Sequence, residues 1–211
     1  MSGPLAWKWL PLLLSALLLQ HYTVTGRAIE VVDAEVKVPE SIPLRVQSCF
    51  PCHGPQGQSG SPAIPSLAGL PRDYLIDVMG AYRHGGRFST VMGRLVAAYD
   101  QADLAAMADY FSDQPIKSQK QSTDWRLVGW GRRLHRRYCR QCHGDPEKPA
   151  KPGVPHLHGR WMDYLRWTLL DYLMGVNQGD EEMATELTAL MRRHGAEGME
   201  ALLHYYAKGK P

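Results

Sequence analysis

"CFPCH", residues 49–53, returns as "CRQCH" at residues 139–143, and the two pentapeptides hold all four cysteines of a 211-residue chain. Each closes on a histidine, His53 or His143, and the offset between them is ninety residues. The same offset continues downstream, where "LAGLPRDYLIDVMGAY" (67–82) aligns with "LHGRWMDYLRWTLLDY" (157–172). The shared positions are Leu, Gly, Asp, Tyr, Leu and the final Tyr. Farther on, "MADYF" at 107–111 answers "LLHYY" at 202–206 with the offset grown to ninety-five, so the second copy contains a few extra residues. Self-similarity at a fixed offset marks a duplicated unit. The chain therefore reads as two tandem copies, 29–113 and 125–211. Residues 114–124 join them, a polar, proline-containing stretch suited to an exposed connector.

Within each copy the apolar spacing is helical, and the fold class is all-α. A short helix in "SIPLRVQS" (41–48) and a longer one in "DWRLVGWGRRLHRRY" (124–138) precede the cysteine pairs. A second helix holds the shared Tyr and Leu positions. A third closes each unit, in "DQADLAAMADYF" (100–111) with Asp100 as its cap and in "AEGMEALLHYYA" (196–207). The segments 54–66 and 144–156, rich in Gly and Pro, are loops. Three short helices with long loops make a thin core, and a unit of that size needs a staple.

What the cysteines hold follows from their spacing. Two disulfides would leave each histidine without a role. A shared zinc ion fails on distance, because 86 residues lie between Cys52 and Cys139 where ribbon sites use about fifteen to twenty. A thioredoxin-like pair needs alternating strands and helices, which are missing. Covalent haem c uses every residue of the motif: two thiols one helical turn apart reach the vinyl groups of one porphyrin, and the adjacent histidine meets the iron. Cys49 with Cys52 and Cys139 with Cys142 are thus expected to attach two haems, with His53 and His143 as proximal ligands. The apolar disc of each haem would supply the missing core.

Electron-carrying sites of this kind pair His with Met, whose soft sulfur favours ferrous iron. Met92 in "RFSTVMGRL" is expected to lie in a loop and to supply the sulfur of the first copy, with His84 as substitute. In the second copy the offset points to Met183, in "GDEEMATEL" ahead of the closing helix, with Met191 as alternative. Met79, Met107, Met162, Met174 and Met199 fall on helical faces and read as core. His156 and His158 read as exposed loop histidines. A methionine in each copy also argues against an enzyme with an open iron site, such as a peroxidase.

The amino terminus and the charge set the context. Lys8, the apolar run Trp9–Leu19 and "TGRA" at 25–28 read as a secretory signal peptide over 1–28, the run being too short to span a bilayer; an uncleaved anchor is the alternative. Either places the folded part across a membrane, in a bacterial periplasm. Residues 29–115 hold six basic and ten acidic side chains, net −4, and residues 116–211 sixteen and eleven, net +5. The basic half lacks the aromatic and basic pattern of a nucleic-acid binder. It suits an exposed, solvated surface or a docking face.

The tandem CxxCH copies, "STVMGRL" (89–95), "LHRRYCRQCH" (134–143) and the "MATEL" to "HYYA" ending resemble the dihaem cytochrome subunit of flavocytochrome c sulfide dehydrogenases, itself similar to the periplasmic dihaem cytochromes c4. The resemblance covers the chain after its amino-terminal segment. It implies two class I cytochrome c domains, His53 and Met92 on the first haem iron, and His143 and Met183 on the second. It also implies an FAD-containing sulfide dehydrogenase subunit as electron donor and a small soluble cytochrome c as acceptor. The flavin site and the sulfur chemistry would belong to that partner.

Overall fold

The computed structural model describes residues 42–145, 150–177 and 181–209. The expected signal peptide and the start of the first copy lie outside the described residues. Residues 42–211 belong to one unit of contacts. Among the described residues there is no named strand; an isolated antiparallel bridge joins Arg87 and Asn177.

In the first copy, α1 (Leu44–Gln47) is a single turn and α2 (Phe50–His53) contains the second cysteine and the histidine. They are followed by α3 (Arg72–Arg83), α4 (Met92–Val96) and α5 (Gln101–Ser112). Asp100 caps α5 as its sequence suggests: its carboxylate accepts from the Asp103 N–H at 2.8 Å, and Asp103 reaches back to the Asp100 N–H. Val46, Leu75, Leu104, Met107 and Phe111 form the core between α1, α3 and α5, with Met79 at its edge.

The second copy repeats this plan with a longer first and last helix: α6 (Trp125–Tyr138), α7 (Arg140–His143), α8 (Met162–Leu173) and α9 (Glu181–Ala207). The Asp124 carboxylate accepts from the Arg126 N–H and starts α6. Gly131, Leu134 and His135 form the buried stripe of α6, while Arg132, Arg133, Arg136 and Arg137 face solvent. That is the three-and-four spacing of an amphipathic helix. At Gly131 the backbones of α6 and α9 approach so closely that a Cβ would overlap the Ala201 carbonyl oxygen. The extra residues of the second copy are helical too: α9 runs from Glu181 and is broken at Gly195, whose φ of 61° is in the left-handed region. Gly195 stands at the ninety-five-residue image of the Asp100 cap. Met162 and Met199 join the second core as expected, but Met174 caps α8 and is 70% exposed, because the last position of a helix no longer faces its core.

Residues 114–124 are less free than a polar connector suggests. The Gln58 side chain donates to the Pro115 carbonyl, Gln121 donates to the Arg160 carbonyl, and the Met162 N–H donates to Gln121. Side chains from the second copy also reach the first. Arg160, 6% exposed, donates to the carbonyls of Ser66 and Ala68, and the Trp161 indole N–H donates to the Ser59 carbonyl at 2.9 Å. A buried cation is costly without partners. Among the described residues, Arg160 is answered by carbonyls and by no carboxylate.

Candidate functional site

The two cysteine motifs take one shape. Each first cysteine caps a single helical turn containing the second cysteine and the histidine, and a glycine ends it, Gly54 at φ 77° or Gly144 at φ 63°. At Gly54 a Cβ would overlap the Gln58 carbonyl, so this abrupt exit needs glycine. The loop then returns beneath the histidine. His53 Nδ1 lies 2.8 Å from the Pro65 carbonyl and His143 Nδ1 lies 2.9 Å from the Pro155 carbonyl, again at the ninety-residue offset. A carbonyl only accepts, so Nδ1 bears the hydrogen and Nε2 keeps its lone pair. A metal-ligating histidine is prepared in this way.

Burial agrees with that chemistry. His53 and His143 are buried, and desolvation holds the His53 imidazole below its ordinary pKa, favouring the neutral ring that binds a metal. Burial also pushes the Cys49 thiol up and the Cys139 thiol up to about 11. A disulfide-exchange pair needs the opposite shift, which disfavours the thioredoxin-like reading. All four cysteines are unbridged. Among the described residues no group of three or more His, Cys, Asp or Glu gathers.

In the second copy the expected residues surround one cleft. Cys139, Cys142, His143 and Met183 line it together with Leu157, Leu169, Leu187, Leu190 and Leu202, around about 770 Å³ of atom-free space that is partly open to solvent. Leucines, two thiols, an imidazole and a thioether line it together, with Lys151, Glu182 and Glu186 also present, and that donor set fits a haem. Met183 lies in the first turn of α9, in the part before the break at Gly195 and so ahead of the closing segment 196–207, as expected. Met191 packs against the leucine core.

The first copy is gathered less fully. Met92 opens α4, where a loop was expected, because the Ser89 hydroxyl accepts the Gly93 N–H at 2.7 Å and starts the turn. The helix packs against α3. Among the described contacts none joins Met92 to His53 or to Cys49 and Cys52. His84 caps α3 on the exposed surface.

The loop histidines depart from expectation. His156 is half-buried, and His158 is buried with its ring against His135, Tyr205 and Tyr206. Desolvation brings both His135 and His158 down to about 4. Sequence reasoning missed His135 entirely, although its place on the buried stripe of α6, one residue after Leu134, was a signal available to find it.

No protein-family model matches the chain. The chain is 32% identical to a cytochrome c4 of Pseudomonas aeruginosa over 152 residues, covering 67% of this chain and 75% of the relative. It is 38% identical to the cytochrome subunit of sulfide dehydrogenase of Chlorobaculum tepidum over 71 residues, 34% of this chain and 64% of that one. Among solved structures, reduced recombinant cytochrome c4 from Pseudomonas stutzeri matches with a TM-score of 0.67 and 26% identity, covering 78% of this chain and 95% of that one.

Proposed function

The chain belongs to the cytochrome c4 family, dihaem class I cytochromes that carry electrons on two covalent haem c groups, and from that premise we propose that it accepts electrons from a sulfide-oxidising FAD protein in the periplasm. Bound haem supplies a one-electron ferric/ferrous couple. The residues of the chain do the rest. Cys49, Cys52, Cys139 and Cys142 attach the groups, His53 and His143 ligate through Nε2, and Met92 and Met183 bring thioethers that favour the reduced iron. The leucines of the second site would pack against the apolar haem disc. Among the described residues no helix is long and apolar enough to cross a membrane.

The observation that carries the choice of partner surface is the apolar rim beside Met92. Phe88 is 66% exposed, Val91 53% and Leu95 48%, within eight residues of one another. Exposed apolar residues grouped in this way mark an interaction surface. The flavoprotein docks on this rim of the first copy and delivers electrons there. The arginines on the outer face of α6 guide a small soluble cytochrome to the second copy. The likeness to the Chlorobaculum cytochrome subunit supports a flavoprotein donor. A second reading, a free carrier that feeds a terminal oxidase, is favoured by the longer reach of the cytochrome c4 likeness.

Isolation of the protein from its native cells separates the two. Co-purification with a flavin-bearing chain, and reduction of the haems by sulfide only when that chain is present, is the expected result. A flavin-free protein that passes electrons directly to an oxidase would replace it with the second reading.

A further inference from the structure

His135 is fully buried, and both of its ring nitrogens are engaged. Nε2 lies 2.6 Å from the Gly144 carbonyl and Nδ1 lies 3.0 Å from the Tyr206 hydroxyl. The carbonyl only accepts, so Nε2 bears the hydrogen and Nδ1 accepts from the Tyr206 O–H. One string of hydrogen bonds thus runs from the end of α9, through α6, to the carbonyl of Gly144, the residue directly after His143. Its far end is anchored as well, because the Tyr206 carbonyl accepts the Gly159 N–H at 2.8 Å.

The first copy has the same frame without the string. Gly69 N–H donates to the Phe111 carbonyl at 2.9 Å, matching Gly159 and Tyr206. Phe111, however, has no hydroxyl, and the place of His135 is taken by Arg45, which turns outward to pair with Asp103. His53 and His143 have equivalent proline-carbonyl partners. The string is therefore a difference in the support of the two proximal histidines that the shared backbone does not impose.

We propose that His135 and Tyr206 are a positioning pair that sets the reduction potential of the second haem site by holding the peptide that follows His143. The inference rests on haem attachment at Cys139 and Cys142. The His135 N–H offsets the negative end of the Gly144 carbonyl. Without it that partial charge stands uncompensated near the site and favours the more highly charged ferric state, because an interaction between charges is strong where water is excluded. The second site then falls in potential and the first does not.

Spectroelectrochemistry of the intact dihaem protein tests this. His135→Leu should lower one of the two midpoint potentials, the same one that Met183→Ala alters, and leave the other in place. His135→Gln, which retains an N–H donor, should recover most of the shift. Tyr206→Phe copies the first copy's own Phe111 and so preserves the packing if the leucine variant fails to fold; it should give a smaller shift of the same sign. Unchanged potentials, an upward shift, or equal movement of both sites would overturn the proposal and leave the pair a structural role. The haem content of the wild-type protein, measured alongside, tests the attachment reading separately.

Discussion

In the first copy the helix before the cysteines is one turn, Leu44–Gln47, and its methionine opens a helix of five residues, Met92–Val96. In the second, α6 runs from Trp125 to Tyr138 and crosses an α9 that reaches from Met183 past the break at Gly195 to Tyr206. The cysteine turns, the glycine exits and the proline carbonyls under the histidines are nonetheless the same. What is constant is the geometry a haem requires of its immediate ligands. What varies is the amount of protein around it, and that is where two sites with one ligand set can acquire different properties.

Removing the attachment points should break the comparison most severely. With Cys139 and Cys142 both changed to Ser, the mature protein should contain one haem mass instead of two, and the second copy, whose leucines face the cleft, should lose its cooperative unfolding step. Mass spectrometry and thermal melting followed by circular dichroism read both. Two haem masses in this variant would mean that the motif is not the attachment site.

The methionines come next. The ferric protein should show the weak sulfur-to-iron band near the red end of the spectrum. Met92→Ala and Met183→Ala should each remove about half of it and lower one potential, because the thioether stabilises reduced iron. If Met191→Ala removes the band instead, the second copy has a different ligand.

Acid should separate the copies further. His135 and His158 are held by burial from 6.5 down to about 4, so the unfolded chain binds more protons than the folded one between those values. Stability from this source is complete above about pH 6.5 and declines as the pH falls towards 4. The matching places in the first copy hold Arg45 and Ala68, not histidines. Melting at pH 7 and pH 5 should therefore lower the second copy more than the first, and equal losses would remove this asymmetry.

The smallest effect is kinetic. Replacing Arg132, Arg133, Arg136 and Arg137 with Ser should slow transfer to a small acidic acceptor several-fold and flatten its salt dependence, since exposed charge acts mainly on association rate. Reduction by the donor should be unchanged, and stopped-flow measurements at two ionic strengths distinguish the steps.

Much of this was legible in the sequence because it depends on spacing. The ninety-residue repeat located both cysteine turns, the helix periodicity located α3, α5, α6 and α8, and the growth of the offset to ninety-five located extra residues before Gly195. The error at Met92 has a local cause: the Ser89 hydroxyl accepts the Gly93 N–H and turns an expected loop into a first turn. His158 was misread because a Pro-rich, His-rich loop suggests exposure, whereas the ring packs beneath the tyrosines of a helix some fifty residues later. Arg160 and Trp161 act through contacts between distant segments, and no local pattern encodes those.

The bridge between Arg87 and Asn177 joins two residues at the same position of the two copies, running antiparallel. Contact between equivalent positions is the signature of an isologous junction, the kind two identical subunits form about a two-fold axis. Such a junction is reciprocal: what one side offers the other, it receives in return. Vectorial flow cannot originate at the axis itself. Its sense would have to come from residues that break the duplication, such as the proposed docking rim near Met92 and the arginines of α6. Exchanging the rim and the arginines between copies should reverse the preferred direction while leaving the bridge untouched.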